Sequence, residues 1–156
     1  MFSYVIICLE RVNDMTKFLL IRHGEPRYDE VLERGYIGHG YDLGRLTDLG
    51  VKQAEKRAKD IDLKDAQIIL SSPYTRALQT AAIISRITGI KIEVENDLHE
   101  WMPDTAFKYD QNANHSYEEY LKAKGVKTDQ HLYRWETYDQ LKQRVINVLN
   151  QYKNYD

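Results

Sequence analysis

Three apolar runs that each break off at a polar tip, separated by two stretches of helical period, predict an α/β layered domain. Phe18-Leu19-Leu20-Ile21 runs into Arg22-His23-Gly24-Glu25, Ile68-Ile69-Leu70 into Ser71-Ser72-Pro73, and Ile90 to Val94 toward Asp97-Leu98-His99-Glu100. Open α/β sheets bind ligands at such strand ends. A chain of 156 residues has the size of one domain with its own core, so residues 1–156 are read as a single domain.

The expected strands lie near residues 17–22, 66–71 and 90–96, and the expected helices near 48–61, 74–88 and 138–152. The first strand reads as buried, because its apolar run is continuous. At its tip, a fixed positive charge (Arg22) adjoins an imidazole (His23), and Gly24 lets the backbone come close to a bound group. That combination suits a histidine attacking a phosphoryl group held by the arginine. Alone, the same tripeptide would more often be a strand ending in a polar turn. Pro26 to Arg45 shows no sustained period and reads as a long loop, with Asp29 and His39 as solvated loop residues.

Thr47 and Asp48 open the first helix as N-cap and first-turn acid, with Val51, Ala54, Ala58 and Ile61 on its apolar face. Ser72 and Pro73 suit the cap and first position of the next helix, which runs to Gly89 and puts Arg76 in its first turn. Free backbone N–H groups and the helix dipole attract anions there, and an arginine adds a full charge. The third strand alternates Ile90, Ile92 and Val94 with Lys91, Glu93 and Glu95, so one face is wet and the strand belongs toward an edge. Glu100 follows it, and a carboxyl beside Trp101 suits a proton donor with a raised pKa. Residues 102–136 are polar and aromatic and read as a cover segment, with Ser116 to Glu119 as a capping box and Gly125 as a helix stop. His115 and His131 in it read as surface histidines. A second box, Thr137 to Gln140, starts the last helix, with Leu141, Val145, Val148 and Tyr152 on one face.

Lys and Arg total 22 against 24 Asp and Glu, a net charge of -2, which argues against binding nucleic acid or an anionic membrane surface. The single cysteine, Cys8, rules out an internal disulfide and offers no Cys-rich metal spacing, in keeping with a reducing cytoplasm; it reads as a small buried apolar residue. The opening Met1 to Leu9 lacks the basic head and cleavage site of a signal peptide, and within residues 1–14 the stretch Tyr4 to Leu9 is β-prone. They are read as an N-terminal extension before Met15, and as a strand that pairs with an exposed sheet edge, in the same chain or in a second copy.

Arg22-His23-Gly24-Glu25, Asp42 with Leu46-Thr47-Asp48-Leu49-Gly50-Val51-Lys52-Gln53-Ala54, and Ser71-Ser72-Pro73-Tyr74-Thr75-Arg76-Ala77-Leu78-Gln79-Thr80-Ala81 together closely resemble the histidine phosphatase superfamily, in its phosphoglycerate mutase-like branch. The resemblance covers residues 16 to 101, and three blocks in one order are far more specific than any single block. It implies a three-layer α/β/α fold with a mostly parallel sheet. It also implies a phosphohistidine at His23, a phosphate clamp of Arg22 and Arg76, Glu100 as proton donor, a small phosphate ester as substrate, and no metal or cofactor.

The chain departs from the family pattern twice. Asp29 stands where many members have an asparagine seven residues after the motif arginine; its charge repels phosphate, so it is left outside the site. The family's second catalytic histidine, in a turn after a later strand, has no counterpart before Asp156, so the chain is expected to be cut short and to lack its C-terminal strand. Loss of one such preorganised donor costs roughly 10²–10³ in rate, and the missing strand would leave the first one unpaired beside the sheet's middle. Three functions stay open on this reading: a phosphomonoester hydrolase, a non-catalytic phosphate-binding member, and a mutase.

Overall fold

The computed structural model describes residues 4–12, 15–108 and 110–154. The chain forms two compact units, one comprising the described residues up to Glu100 together with those from Val148 onward, the other Trp101–Asn147. Among the described residues, no helix is long and apolar enough to cross a membrane.

The first unit is built on a four-stranded sheet. Its strands are β1 (Tyr4–Val12), β2 (Met15–Arg22), β3 (Ala66–Ser71) and β4 (Lys91–Val94), in the order β2-β1-β3-β4. β1 runs antiparallel to both neighbours, while β3 and β4 are parallel, so β2, β3 and β4 all point the same way. The N-terminal segment thus pairs within its own chain, as expected, but in the interior of the sheet and not at an edge. It supplies β2 and β3 with the backbone partners that the sequence had left unaccounted for. The side chain of Cys8 lies outside the described residues.

β3 is buried on both faces, which is why its apolar run does not alternate. Ile69 packs with Ile21, Ala77, Ala81 and Ile84 on the side covered by α3 (Thr75–Thr88). Ile68 and Leu70, one residue out of phase, pack with Leu98, Val148 and Tyr152 at the end of α5 (Tyr138–Tyr152). Helix, sheet and helix therefore form the expected three layers. β4 is an outer strand, as its alternation predicts, and its Glu93 and the next residue but one, Glu95, receive the Tyr152 hydroxyl at 2.8 and 2.5 Å. β2 differs from expectation. It is the other outer strand, Leu20 is 60% exposed, and Ile21 is the one residue of the apolar run that is fully buried. A continuous apolar run signals two covered faces; here Leu19 and Ile21 pack on the α3 side, while on the other face Phe18 is partly covered and Leu20 is open.

α2 (Asp48–Arg57) begins as predicted, with the Thr47 hydroxyl accepting from the Gly50 N–H at 3.0 Å. It stops short of Ile61, which is exposed in a 3₁₀ turn over Ile61–Leu63. α3 starts two residues later than its Ser-Pro signal suggests, with Tyr74 as N-cap, and ends at Gly89, whose φ of 78° and N–H bond to Ser85 make a left-handed stop. The stretch from Pro26 to Arg45 is not structureless. It holds α1 (Asp29–Glu33) and a 3₁₀ turn over Gly38–Leu43, and Arg45 fastens it by a two-pronged bond to Glu30 at 2.9 and 2.6 Å.

The second unit packs around Trp135, which is fully buried and meets Tyr120 edge-on, with ring centroids 5.5 Å apart. The Trp135 indole N–H donates to Glu119 at 2.7 Å and the Trp101 indole N–H to the Glu136 carbonyl at 2.6 Å. Two forks close the unit: Arg144 on Glu136 (2.6 and 2.9 Å) and the more exposed Arg134 on Asp104 (3.0 and 3.1 Å), the latter holding the Asp104 carboxyl down at about 2. α4 (Ala113–Lys122) is capped by Asn112, not by Ser116, which lies buried inside the helix and accepts from Gln111. Gly125 does close it, its N–H bonding Tyr120 O while Lys124 N–H bonds Leu121 O. Thr137 and Gln140 form the predicted reciprocal box at the head of α5.

Candidate active site

The three sequence blocks are one another's hydrogen-bond partners. The Gly24 N–H donates to Thr80 Oγ1 at 3.1 Å, and Thr80 Oγ1 in turn donates to the Arg76 carbonyl at 2.8 Å. Glu25 N–H donates to Gln53 Oε1 (2.8 Å), Leu46 N–H to Gln79 Oε1 (2.8 Å), and the Thr47 hydroxyl to Glu25 Oε2 (2.6 Å). The tip of β2 is thereby tied to the starts of both α2 and α3.

Gly24 serves this junction. A Cβ there would stand 2.3 Å from the Gly50 carbonyl oxygen, and a Cβ on Gly50 would stand 2.3 Å from the Glu25 carbonyl oxygen. The close approach that Gly24 allows here is made to the backbone of α2. Gly50→Ala is accordingly expected to cost about 1–3 kcal/mol in urea unfolding, because backbone has to move to admit one methyl group.

His23 is 8% exposed, and its Nδ1 lies 2.6 Å from the Gly24 carbonyl. A carbonyl only accepts, so Nδ1 carries the hydrogen and Nε2 the lone pair. The imidazole pKa lies below its ordinary 6.5. Burial is the largest cause; the bond to Gly24 and the charge of Glu100 oppose it, and Arg76 and Arg22 reinforce it. The charges of Arg22, Arg76 and Glu100 thus all act on this ring, and the four residues singled out in the sequence share one end of the sheet.

Arg76 is 2% exposed, deep in the first turn of α3. Its Nη2 stands 2.9 Å from Glu100 Oε2, its Nη1 3.5 Å from Asp42 Oδ1, and its guanidinium carbon 5.1 Å from the centre of the Tyr74 ring. Glu100, 7% exposed, therefore meets a guanidinium, where the sequence had suggested an apolar wall.

Three residues near the site escaped the sequence reading of roles. Asp42 reaches Arg76 from the 3₁₀ turn. His39, expected to be solvated, is partly buried with its Nδ1 3.1 Å from Asp42 Oδ2. Burial pushes the Tyr28 phenol above its usual pKa, and the charges of Arg76, Glu100, Asp42 and Arg22 all act on it. Only the His39–Asp42 spacing of three was visible in sequence, and it becomes a signal once a 3₁₀ turn is known there, since that helix stacks residues three apart. Asp29 stays apart from the site residues, held by Arg27 at 2.9 and 3.0 Å.

The sequence matches the Histidine phosphatase superfamily (branch 1) over residues 18–155. The chain belongs to that superfamily. It is similar to "Putative phosphoserine phosphatase 2" of Hydrogenobacter thermophilus, 36% identical over 86 residues, which are 55% of this chain and 40% of the relative. It is also similar to the 2,3-bisphosphoglycerate-dependent phosphoglycerate mutase of Thermoplasma acidophilum, 29% identical over 133 residues, 84% of this chain and 63% of the relative. Among solved structures, a mycobacterial glucosyl-3-phosphoglycerate phosphatase in complex with inorganic phosphate superposes with a TM-score of 0.59 at 18% identity, covering 86% of this chain and 61% of that one. That likeness shows the shared fold. The chain spans 40% and 63% of the length of these two curated relatives.

Proposed function

We propose that this chain carries the nucleophile and phosphate clamp of a phosphomonoester hydrolase that works through a phosphohistidine on a small phosphorylated substrate. The observation that carries the reading is the state of His23: a buried imidazole, kept neutral by its surroundings, with its tautomer set by Gly24 and with the Arg76 guanidinium acting on it. The names of the relatives, phosphatases and a mutase, support the same class of chemistry.

In this mechanism Nε2 of His23 forms a bond to phosphorus while the bond from phosphorus to the leaving oxygen breaks. Arg22 and Arg76 bear the charge on the remaining oxygens, and Glu100 passes to the leaving alcohol the proton that the site takes up with its substrate. Water then attacks phosphorus, Glu100 takes a proton from it, and the electrons of the P–N bond return to Nε2 as inorganic phosphate departs. The two arginines fill the charge-bearing role that a metal ion has elsewhere, so no metal enters the scheme.

The test is to quench turnover of labelled p-nitrophenyl phosphate in denaturant and map the phosphoryl group. A base-stable, acid-labile label on His23, formed equally well in chelator, is the expected result. A label on another residue, or a reaction stopped by chelator, would overturn the mechanism. Phosphate binding with no label at any time would assign a binding role without turnover.

A further inference from the structure

The proposed chemistry uses His23, Arg22, Arg76 and Glu100 and leaves Asp42 without a task. Yet Asp42 is built into the same cluster. The 3₁₀ turn over Gly38–Leu43 stacks His39 above it, so that Oδ2 meets His39 Nδ1 at 3.1 Å while Oδ1 faces Arg76 Nη1 at 3.5 Å. Glu100 occupies the other Nη of the same guanidinium at 2.9 Å. Arg76 is therefore gripped on two sides by carboxylates.

A count of charges shows what this means for a ligand. Arg22 and Arg76 contribute two positive charges, Asp42 and Glu100 two negative ones, and His23 is neutral. A phosphoryl dianion brought to Arg76 meets a cluster with no net charge to offset it, at positions where water screens little. Such a cluster binds a dianion more readily if it gains a proton at the same time. Asp42 is the better placed carboxyl to gain one: its side chain is 21% exposed against 7% for Glu100, so exchange with solvent is open to it.

We infer that Asp42 is a specificity-determining residue of the site: ionised, it holds the Arg76 guanidinium, and it takes up a proton as it yields that guanidinium to a phosphoryl dianion. This rests on the reading of the cluster as a phosphate site. The groups that face Asp42 fit the role. Burial raises its pKa; His39 on its own turn and Arg76 on α3 oppose that rise, and Glu100 beyond β4 adds to it. The Tyr28 phenol, ahead of α1, stands in the same field, whereas Glu30 on α1 is engaged by Arg45 and Arg27. The consequence is a site that takes its phosphate together with a proton, and whose affinity, reckoned per phosphate dianion present, falls as pH rises.

Titration calorimetry with inorganic phosphate, in two buffers of different ionisation heat and from pH 6.5 to 8.5, tests this. The wild-type protein should take up protons on binding and should lose affinity from pH 7.5 to 8.5. Asp42→Asn should bind about tenfold more tightly at pH 8, the equivalent of one pKa unit of coupling, with proton uptake largely gone. Equal affinity and equal uptake in the two proteins would overturn the role of Asp42 and leave the phosphate site standing, as would a wild-type affinity flat from pH 7.5 to 8.5. Absence of phosphate binding in both proteins would overturn this inference and the proposed function together.

Discussion

His23→Ala should reduce kcat/KM for p-nitrophenyl phosphate by at least about 10³ and leave no phosphoryl group on the protein, because the proposed phosphohistidine has no other atom to form on. The substitution removes one side chain whose recorded bond is to the adjacent Gly24 carbonyl, so the melting temperature should change little. That separation of activity from stability is the useful part of the measurement. The wild-type pH profile supplies an independent check. Since burial lowers the imidazole pKa, the acid limb assigned to His23 should fall below pH 6.5, with activity lost only as the pH drops through that lowered value. If His23→Ala kept wild-type turnover, the nucleophile assignment would be wrong.

Arg76→Ala should be the most damaging single change to stability in the first unit. The guanidinium is nearly inaccessible and is held by Glu100, Asp42 and the Tyr74 ring. Its removal takes from Asp42 and Glu100 the guanidinium that both of them engage. Breaking a buried pair in this way costs about 3–5 kcal/mol, a large share of the roughly 5–15 kcal/mol that holds a domain together. The sign of the pH dependence follows. In the variant, folding raises the carboxylate pKa values, so the penalty is full at pH 7 and shrinks as pH falls and one of the pair takes a proton. Urea unfolding of both proteins at pH 7 and pH 5 measures the gap at each; a gap that widened toward pH 5 would show that stranded charge is not the cause. Phosphate binding should be lost at either pH.

The helices and β3 were legible because their signals are local. Thr47 with Gly50, Thr137 with Gln140, and Gly89 at the end of α3 are contacts between residues a few positions apart, and their chemistry is written in the residue types. The failures share a different cause. Whether Leu20 is covered depends on what lies across β2, and whether His39 is solvated depends on where a 3₁₀ turn sets Asp42; neither is a property of neighbouring residues. Ser116 and Glu119 have the spacing of a cap but are spent on Gln111 and Trp135, so tertiary demand outweighed a local motif. At the site, His23, Arg22, Arg76 and Glu100 were legible together because each lies at a strand end or in a first helical turn and matches a motif position of the family that the sequence resembles. Asp42 was visible only as a motif letter, since its role arises from a guanidinium 34 positions away.

The place of β1 in the sheet gives the first residues of the chain a metrological role. Val5 is opposite Ile21 on one side and Ser71 on the other, so the strand that delivers His23 and the strand that leads to Arg76 are levelled against each other through a third strand running the opposite way. Two ladder spacings put Ile21 and Ser71 about 9–10 Å apart, and a slip of β1 by two residues against one neighbour would offset the two tips by about 7 Å. Irregularities near Cys8 interrupt the register on both sides, between Cys8 and Arg11 toward β2 and between Cys8 and Leu9 toward β3, which confines in-step pairing to the half of β1 nearest the tips. A single inserted or deleted residue between Tyr4 and Cys8 would thus act on the alignment of nucleophile and clamp without touching either.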